Sequence, residues 1–425
     1  MSPTVMSALP WAMAAVAVLA LAATGELAAR WWIRRRREYF VWPPGVRQRI
    51  LPDPDVFPEL ERVVRFDINR AGERGDELPR SAHGLYRVLV AGGSQPEGFL
   101  TDQYTSWPGA LHQLLRAPEC LRRLGASRVH VGCIARAGVG SEALDLILER
   151  VLPRYPRLQL IIVLVGATDV IRWMEQGAPR VTAPIRTADV FRCQPEGPFA
   201  WKPRQLAAVE LLRRARQRYL RPIQVQEHAC RWMGEARAMR ARARTILDTT
   251  PDPEPMLERF ECHLRALLRR ASAHADRVLL VRQPWFDKRH SPEEATHMWH
   301  GGAAQAWREE VTTFYSFEVV ARLMALMDAR AAAVAVGLGV QQLDLRPLLE
   351  SSLVNYYDGF HPTPAGARIV THAVAAAVLR ESGLFIEAAS AAVESAFAAG
   401  NDGDLSPGER EAPLLRDERA RSSEC

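Results

Sequence analysis

The chain has 425 residues, 48% of them hydrophobic and 24% charged, proportions that exclude a mainly disordered, collagen-like or multi-span membrane protein. Its 55 basic and 49 acidic side chains give a formal charge of +6, but Lys202 and Lys288 are its only lysines, so the arginine excess reads as coding bias. Between residues 38 and 400 no stretch interleaves arginines with aromatics as a nucleic-acid surface requires, and nucleic acid is not expected as a partner.

From the N-terminus, Ala8 to Gly25 is an uncharged run rich in alanine and leucine, followed by Glu26 and then Arg30-Trp31-Trp32-Ile33-Arg34-Arg35-Arg36-Arg37. Roughly 20 apolar residues cross the hydrocarbon layer as a helix, and tryptophans beside arginines suit the membrane interface, so residues 1–40 read as a single membrane anchor with a basic flank. A cleaved signal peptide would carry positive charge ahead of its apolar stretch, where Met1 to Leu9 offers only the terminal amine. A buried alanine-rich helix fits poorly with four consecutive arginines. Sidedness stays open. The positive-inside rule assigns everything after the arginines to the cytoplasm, while Cys120, Cys133, Cys193, Cys230, Cys262 and Cys425 have neither metal-ligand spacing nor a compact disulfide framework.

After a lead-in over residues 41–84, strand and helix signals alternate. Short apolar, β-branched runs at Tyr86 to Ala91, Arg128 to Ile134, Leu158 to Val165, Arg277 to Val281 and Val340 to Leu345 read as strands. Helix-period segments fall at Trp107 to Leu115, Ser141 to Leu152, Met256 to Ala275, Phe317 to Val336 and Pro364 to Arg380. This alternation predicts an α/β fold: three αβα layers around a doubly wound, five-stranded parallel sheet, with the active site at the carboxyl ends of the strands. The hydrolase-like region would span 85–385. Within it, an insertion over about 171–276 has Pro- and Gly-containing loops from Ala178 to Pro203 and an Arg/Ala-rich part, read as helical, from Gln205 to Leu247. Two readings of the insertion stand side by side, a lid or substrate wall and a solvated helical elaboration. The tail over 399–425 is polar, charged and poor in core formers, and reads as disordered.

The residues that carry chemistry cluster at strand ends. Val90-Ala91-Gly92-Gly93-Ser94 puts a serine on a glycine turn leaving the first strand, where its oxygen and backbone N–H can both face a pocket. Ala135-Arg136-Ala137-Gly138-Val139-Gly140-Ser141 follows the second strand, with glycines that let the backbone approach a ligand. Gly166-Ala167-Thr168-Asp169 ends the third. Tyr357-Asp358-Gly359-Phe360-His361-Pro362 precedes the last helix, and an Asp three residues before a His on a tight loop can orient the imidazole toward a serine. Alone, each motif also reads as a plain turn or cap; what sets them apart is their joint order.

That order resembles the SGNH (GDSL-type) hydrolases, whose four blocks contribute Ser, Gly, Asn and His. Gly92-Gly93-Ser94 looks like the first block, Gly138 the second, Gly166-Ala167-Thr168-Asp169 the third and Asp358-Gly359-Phe360-His361 the last; Arg65 to Glu77 resembles the lead-in of membrane-anchored bacterial members. The resemblance covers roughly Val63 to Gly383 apart from the insertion. It implies a flavodoxin-like SGNH fold and a serine esterase in which Ser94 is nucleophile, His361 base and Asp358 its orienter. Ser94, Gly138 and Thr168 would form the oxyanion hole, with no metal and no cofactor. Thr168 departs from the pattern, standing where the family has Asn, and loss of one oxyanion donor typically costs about 100- to 1000-fold in rate. The substrate class implied is an ester, such as an O-acetyl or other acyl group on envelope carbohydrate or lipid. An O-acyltransferase with the same triad and a non-catalytic carbohydrate- or partner-binding module are the alternatives. His290, His297 and His300 lie in one loop, and the carboxylates beside them do not make up a metal-site motif, so a surface or lid role is expected of them. Oligomeric state is not legible from the sequence.

Overall fold

The structure is a computed structural model that describes residues 3–36, 39–191, 206–298, 302–306 and 310–380; His300 and the 399–425 tail lie outside the described residues. The N-terminal apolar segment forms one helix, α1 (Pro3–Arg36), of which Met13–Ile33 is long and apolar enough to cross a membrane, with mean hydropathy 1.5. The chain continues as β1 (Arg47–Pro52), β2 (Val64–Asp67), β3 (Leu85–Gly92), α2 (Ser94–Glu97), α3 (Trp107–Leu115), α4 (Pro118–Leu124), β4 (Arg128–Cys133), α5 (Ser141–Val151), β5 (Leu158–Leu164), α6 (Ala167–Glu175), α7 (Thr187–Val190), α8 (Ala207–Leu220), β6 (Ile223–Ala229), α9 (Arg231–Ala241), β7 (Thr245–Leu247), α10 (Glu254–His274), β8 (Ala275–Val281), α11 (Pro292–His297), β9 (Thr313–Tyr315), α12 (Phe317–Leu338), β10 (Gln341–Leu343) and α13 (Pro364–Leu379).

Five strands make the central sheet in the order β10-β8-β5-β3-β4, and every neighbouring pair is parallel. The sequence of β5, Leu-Gln-Leu-Ile-Ile-Val-Leu, is apolar at nearly every position because both of its faces are covered. In β3 the faces divide residue by residue. Leu89 and Ala91 pack into a core with α5, α10 and α12, whereas Val88 and Val90 pack into a second core with α3 and α13. These are the three αβα layers, with strands and covering helices at the places their periodicity predicts. Numbered among themselves, the five strands run 2-1-3-4-5, so the direction of winding reverses between β3 and β5. That switch point opens a crevice beyond the carboxyl ends of those two strands.

The insertion is only partly helical. After α8 the chain leaves Arg221 in a left-handed conformation (φ 42°) and enters β6, which pairs in parallel with β1 to complete a second sheet, β2-β1-β6. The expected helical run from Gln205 to Leu247 is therefore interrupted by a strand, because Pro222 ends the helix and Ile223-Gln-Val-Gln alternates with the period of a strand. Lead-in and insertion thus build one small sheet beside the main one. Cys230, at its edge, is disulfide-bonded, whereas Cys120, Cys133 and Cys262 are free thiols.

Between lead-in and main sheet lies a buried charge cluster. Glu73, with no exposed surface, accepts from His130 Nε2 at 2.8 Å and from Arg87 Nη2 at 2.8 Å. Burial alone would raise its carboxyl, but His130 first and then Arg87 pull it down to about 2. A carboxyl held below its unfolded value stabilises the fold above the unfolded pKa, and that contribution drains away as pH falls through the folded one. Glu73→Gln is expected to remove on the order of 3 kcal/mol of the pH-dependent stability between about pH 5 and pH 2. Urea unfolding across that range would show a flatter curve for the variant; parallel curves would refute the assignment.

Candidate active site

Four chain segments meet at the switch point. Strand β3 delivers Gly92 against β5 so closely that a Cβ there would collide with the carbonyl oxygen of Leu164, so only glycine lets the strand end at this spacing. The chain then turns at Gly93, and Ser94 becomes the first residue of the single-turn helix α2. Across the crevice, the loop before α13 brings His361 to it: His361 Nε2 and Ser94 Oγ are 2.8 Å apart. On the far side of the ring, Nδ1 lies 2.8 and 2.9 Å from the two carboxylate oxygens of Asp358. Asp358 is completely buried and also accepts from the backbone N–H groups of Phe360 (2.8 Å) and His361 (2.9 Å), which fix its plane. A carboxylate can only accept, so Nδ1 carries the proton and Nε2 is left to accept from the Ser94 hydroxyl. The side chain of His361 is 12% exposed, open enough to meet a substrate.

The other two blocks border Gly93. A Cβ at that position would stand 3.0 Å from the carbonyl oxygen of Val139 and 3.7 Å from Thr168 Oγ1, so the Gly138 loop and the start of α6 both reach the base of Ser94. Gly138 is exposed and has φ 72°, a left-handed conformation that favours glycine. Its carbonyl accepts from Arg172 Nη2 at 2.8 Å. Asp169, next to Thr168, accepts from Ser141 N (3.0 Å) and Ser141 Oγ (2.7 Å), tying the third block to the helix that follows the second; burial raises its carboxyl. Ser94, Asp358 and His361 are thus within hydrogen-bonding contact, and Gly138 and Thr168 lie at the rim of the same crevice.

Several residues that hold this arrangement carry no sequence signal of their own. Glu97, buried at the end of α2, accepts from the N–H of Ala137 at 2.8 Å and so links the serine turn to the Gly138 loop. Arg74 of the lead-in is buried with its guanidinium on the end of α2. It donates to the carbonyls of Glu97, Gly98 (2.9 Å) and Thr101 (2.7 Å) and stacks on Phe66. Arg237, from α9 of the insertion, donates to Tyr357 O at 3.0 Å, and the Tyr357 ring stacks on His361 with 5.5 Å between centroids. The insertion therefore buttresses the histidine loop. His290 is sandwiched between Phe286 and Phe317, at 5.1 and 4.3 Å, and no group of His, Cys, Asp and Glu able to hold a metal occurs among the described residues.

Neither a protein-family model nor a curated protein matches the chain. Solved structures do. LAE5, an alpha/beta hydrolase enzyme from the metagenome of Lake Arreo, Spain, is 12% identical over 69% of this chain and 94% of its own, with a TM-score of 0.36. Axe2, an acetylxylan esterase from Geobacillus stearothermophilus, gives the same identity, coverages and TM-score. A member of the lipolytic protein G-D-S-L family from Veillonella parvula DSM 2008 is 8% identical over 69% of this chain and 96% of its own, with a TM-score of 0.35.

Proposed function

We propose that the chain is a membrane-anchored serine ester hydrolase of the SGNH type, with Ser94 as nucleophile, His361 as general base and acid, and Asp358 as the residue that orients it. The observation that carries this reading is the unbroken hydrogen-bonded line from Ser94 Oγ through His361 to Asp358 at the topological switch point. His361 Nε2 takes the hydroxyl proton as Ser94 Oγ attacks the ester carbonyl carbon. The backbone N–H groups of Ser94 and Gly138, with the Thr168 hydroxyl, meet the negative oxygen of the tetrahedral intermediate. Collapse expels the alcohol, which takes the proton from His361 and leaves an acyl-serine. Water, deprotonated by the same nitrogen, then attacks the acyl group, and its hydrolysis restores Ser94.

In this proposal residues 1–40 are anchor and basic flank, 41–84 the lead-in, 85–385 the hydrolase-like body and 399–425 a tail. The anchor reading is supported by the way α1 is keyed to the body: Glu26 accepts from the N–H groups of Ala207 (2.8 Å) and Ala208 (2.9 Å) at the start of α8, a fit that a cleaved leader would not need. The disulfide at Cys230 supports a body on the oxidising side of the membrane. An acyl ester on envelope carbohydrate or lipid is the substrate class that suits such a tethered site. Turnover of short p-nitrophenyl esters by the detergent-solubilised chain tests the proposal. Wild type is expected to hydrolyse them and Ser94→Ala to fall to background; equal rates for the two would overturn it.

A further inference from the structure

Helix α8 is built inside out for a helix on a water-soluble surface. Its inward side carries Glu210 and Gln217, each 7% exposed, whereas Val209, Leu212, Tyr219 and Leu220 are 43, 71, 78 and 72% exposed. Those four, together with the exposed Arg213 and Arg216, recur at helical spacing along one side, so they form a single outward stripe of apolar and aromatic side chains with two cations. Helix α1 beside it buries two charged side chains where it meets the body, while its described residues from Met13 to Gly25 are exposed on every side. Glu26 and Arg30 are each 2% exposed and paired at 2.7 Å, whereas Leu19, Leu21 and Leu27 are 69, 73 and 48% exposed. The two helices meet through Ala29, Ile33, Ala207 and Leu211. This contact lies at the level of Trp31 and Trp32, which are themselves exposed at the basic end of α1.

We propose that α8 is an interfacial helix, seated with Leu212, Tyr219 and Leu220 at the boundary between headgroups and acyl chains of a bilayer containing anionic lipid. The proposal rests on α1 being a retained membrane span. Three features select lipid as the occupant of the stripe. The stripe lies on a helix that packs directly against α1, whose own exposed side chains are apolar at Leu19, Leu21 and Leu27. It stands beside paired tryptophans, which mark the depth of a membrane interface. Its cation Arg216 suits anionic headgroups, Arg213 beside it being ion-paired with Glu210 at 2.8 Å, while Tyr219 presents a ring with a polar tip. The charges of Glu26 and Arg30 are costly at such a depth unless paired and hydrogen-bonded, and α8 supplies the second partner by donating two backbone N–H groups to Glu26. From α8 the insertion passes through β6 to α9, whose Arg237 holds the loop of His361, so one segment spans from the lipid-facing helix to the candidate active site.

Photocrosslinking of the full chain in nanodiscs of phosphatidylcholine and phosphatidylglycerol tests this. Leu212→p-benzoylphenylalanine is compared with Leu19→p-benzoylphenylalanine on α1 and with Val336→p-benzoylphenylalanine, an equally exposed apolar site (71%) at the end of α12. All three replace exposed side chains, so folding is preserved, and adducts are identified by mass spectrometry. The expected result is phospholipid attached at positions 19 and 212, with several-fold less at 336. Lipid at 19 but a second copy of the chain, or another segment of the same chain, at 212 would overturn the interfacial helix and leave the anchor standing. Equal lipid at 212 and 336 would also overturn it. No lipid at 19 would overturn the anchor reading itself.

Discussion

Asp358→Asn is expected to lower kcat by about 10,000-fold while leaving the fold intact. The carbonyl oxygen of the new amide can keep the bonds from the backbone N–H groups of Phe360 and His361, which in the wild type run 2.8 and 2.9 Å to Asp358 Oδ1. Its NH2 then faces His361 Nδ1 and donates to it. The imidazole responds by carrying its proton on Nε2, and Nε2 can no longer accept from Ser94, which stands 2.8 Å away. The loss therefore comes from the wrong tautomer and not from a broken loop. Steady-state hydrolysis of a p-nitrophenyl ester, with circular dichroism to follow the fold, measures it. A loss of less than about tenfold with an unchanged spectrum would mean that His361 does not depend on this carboxylate.

Thr168→Asn is the second large effect, and its sign is a gain. Thr168, the second residue of α6, has Oγ1 3.7 Å from where a Cβ at Gly93 would sit, close to the base of the nucleophile. A hydroxyl on a short side chain donates one bond and can rotate it away, whereas an asparagine amide reaches further and holds its N–H groups in a plane. Since a full oxyanion donor is worth about 100- to 1000-fold and the threonine supplies part of that, kcat/KM is expected to rise by about 10- to 100-fold. A flat or lowered kcat/KM in a folded variant would show that the oxyanion is already met by other groups, with Arg172 beside Gly138 the first to examine.

The central sheet was legible because its strands are buried on both faces. A run such as Leu158 to Leu164 admits almost no other structure at that length, and the helices between such runs show their own period plainly. The candidate site was legible because glycine and histidine turns stand at the ends of those strands, and the 2-1-3-4-5 order brings them to one crevice. Strand β6 was not legible: only Ile223 and Val225 alternate with polar residues, amid arginines and alanines that favour helix, and the strand is stabilised by pairing with distant β1. Nor could the roles of Arg74, Glu97 and Arg237 be read. The bonds by which they hold the serine turn, the Gly138 loop and the histidine loop run to backbone groups 23 to 120 residues away, where no spacing rule reaches. The outward face of α8 was hidden for a related reason. Its stripe of Val209, Leu212, Tyr219 and Leu220 resembles any core face until packing places Glu210 and Gln217 on the inside.

Covalent labelling with a fluorophosphonate tests the central claim most directly, since it asks whether Ser94 Oγ is activated without assuming a substrate. The probe reports a serine whose proton has a base to go to, and His361 Nε2 at 2.8 Å is that base. After labelling of the full chain and digestion, the account predicts the phosphonyl adduct on Ser94, abolished by heat denaturation beforehand and strongly reduced in His361→Ala. A folded chain left unlabelled at Ser94, or labelled equally with and without His361, would contradict it.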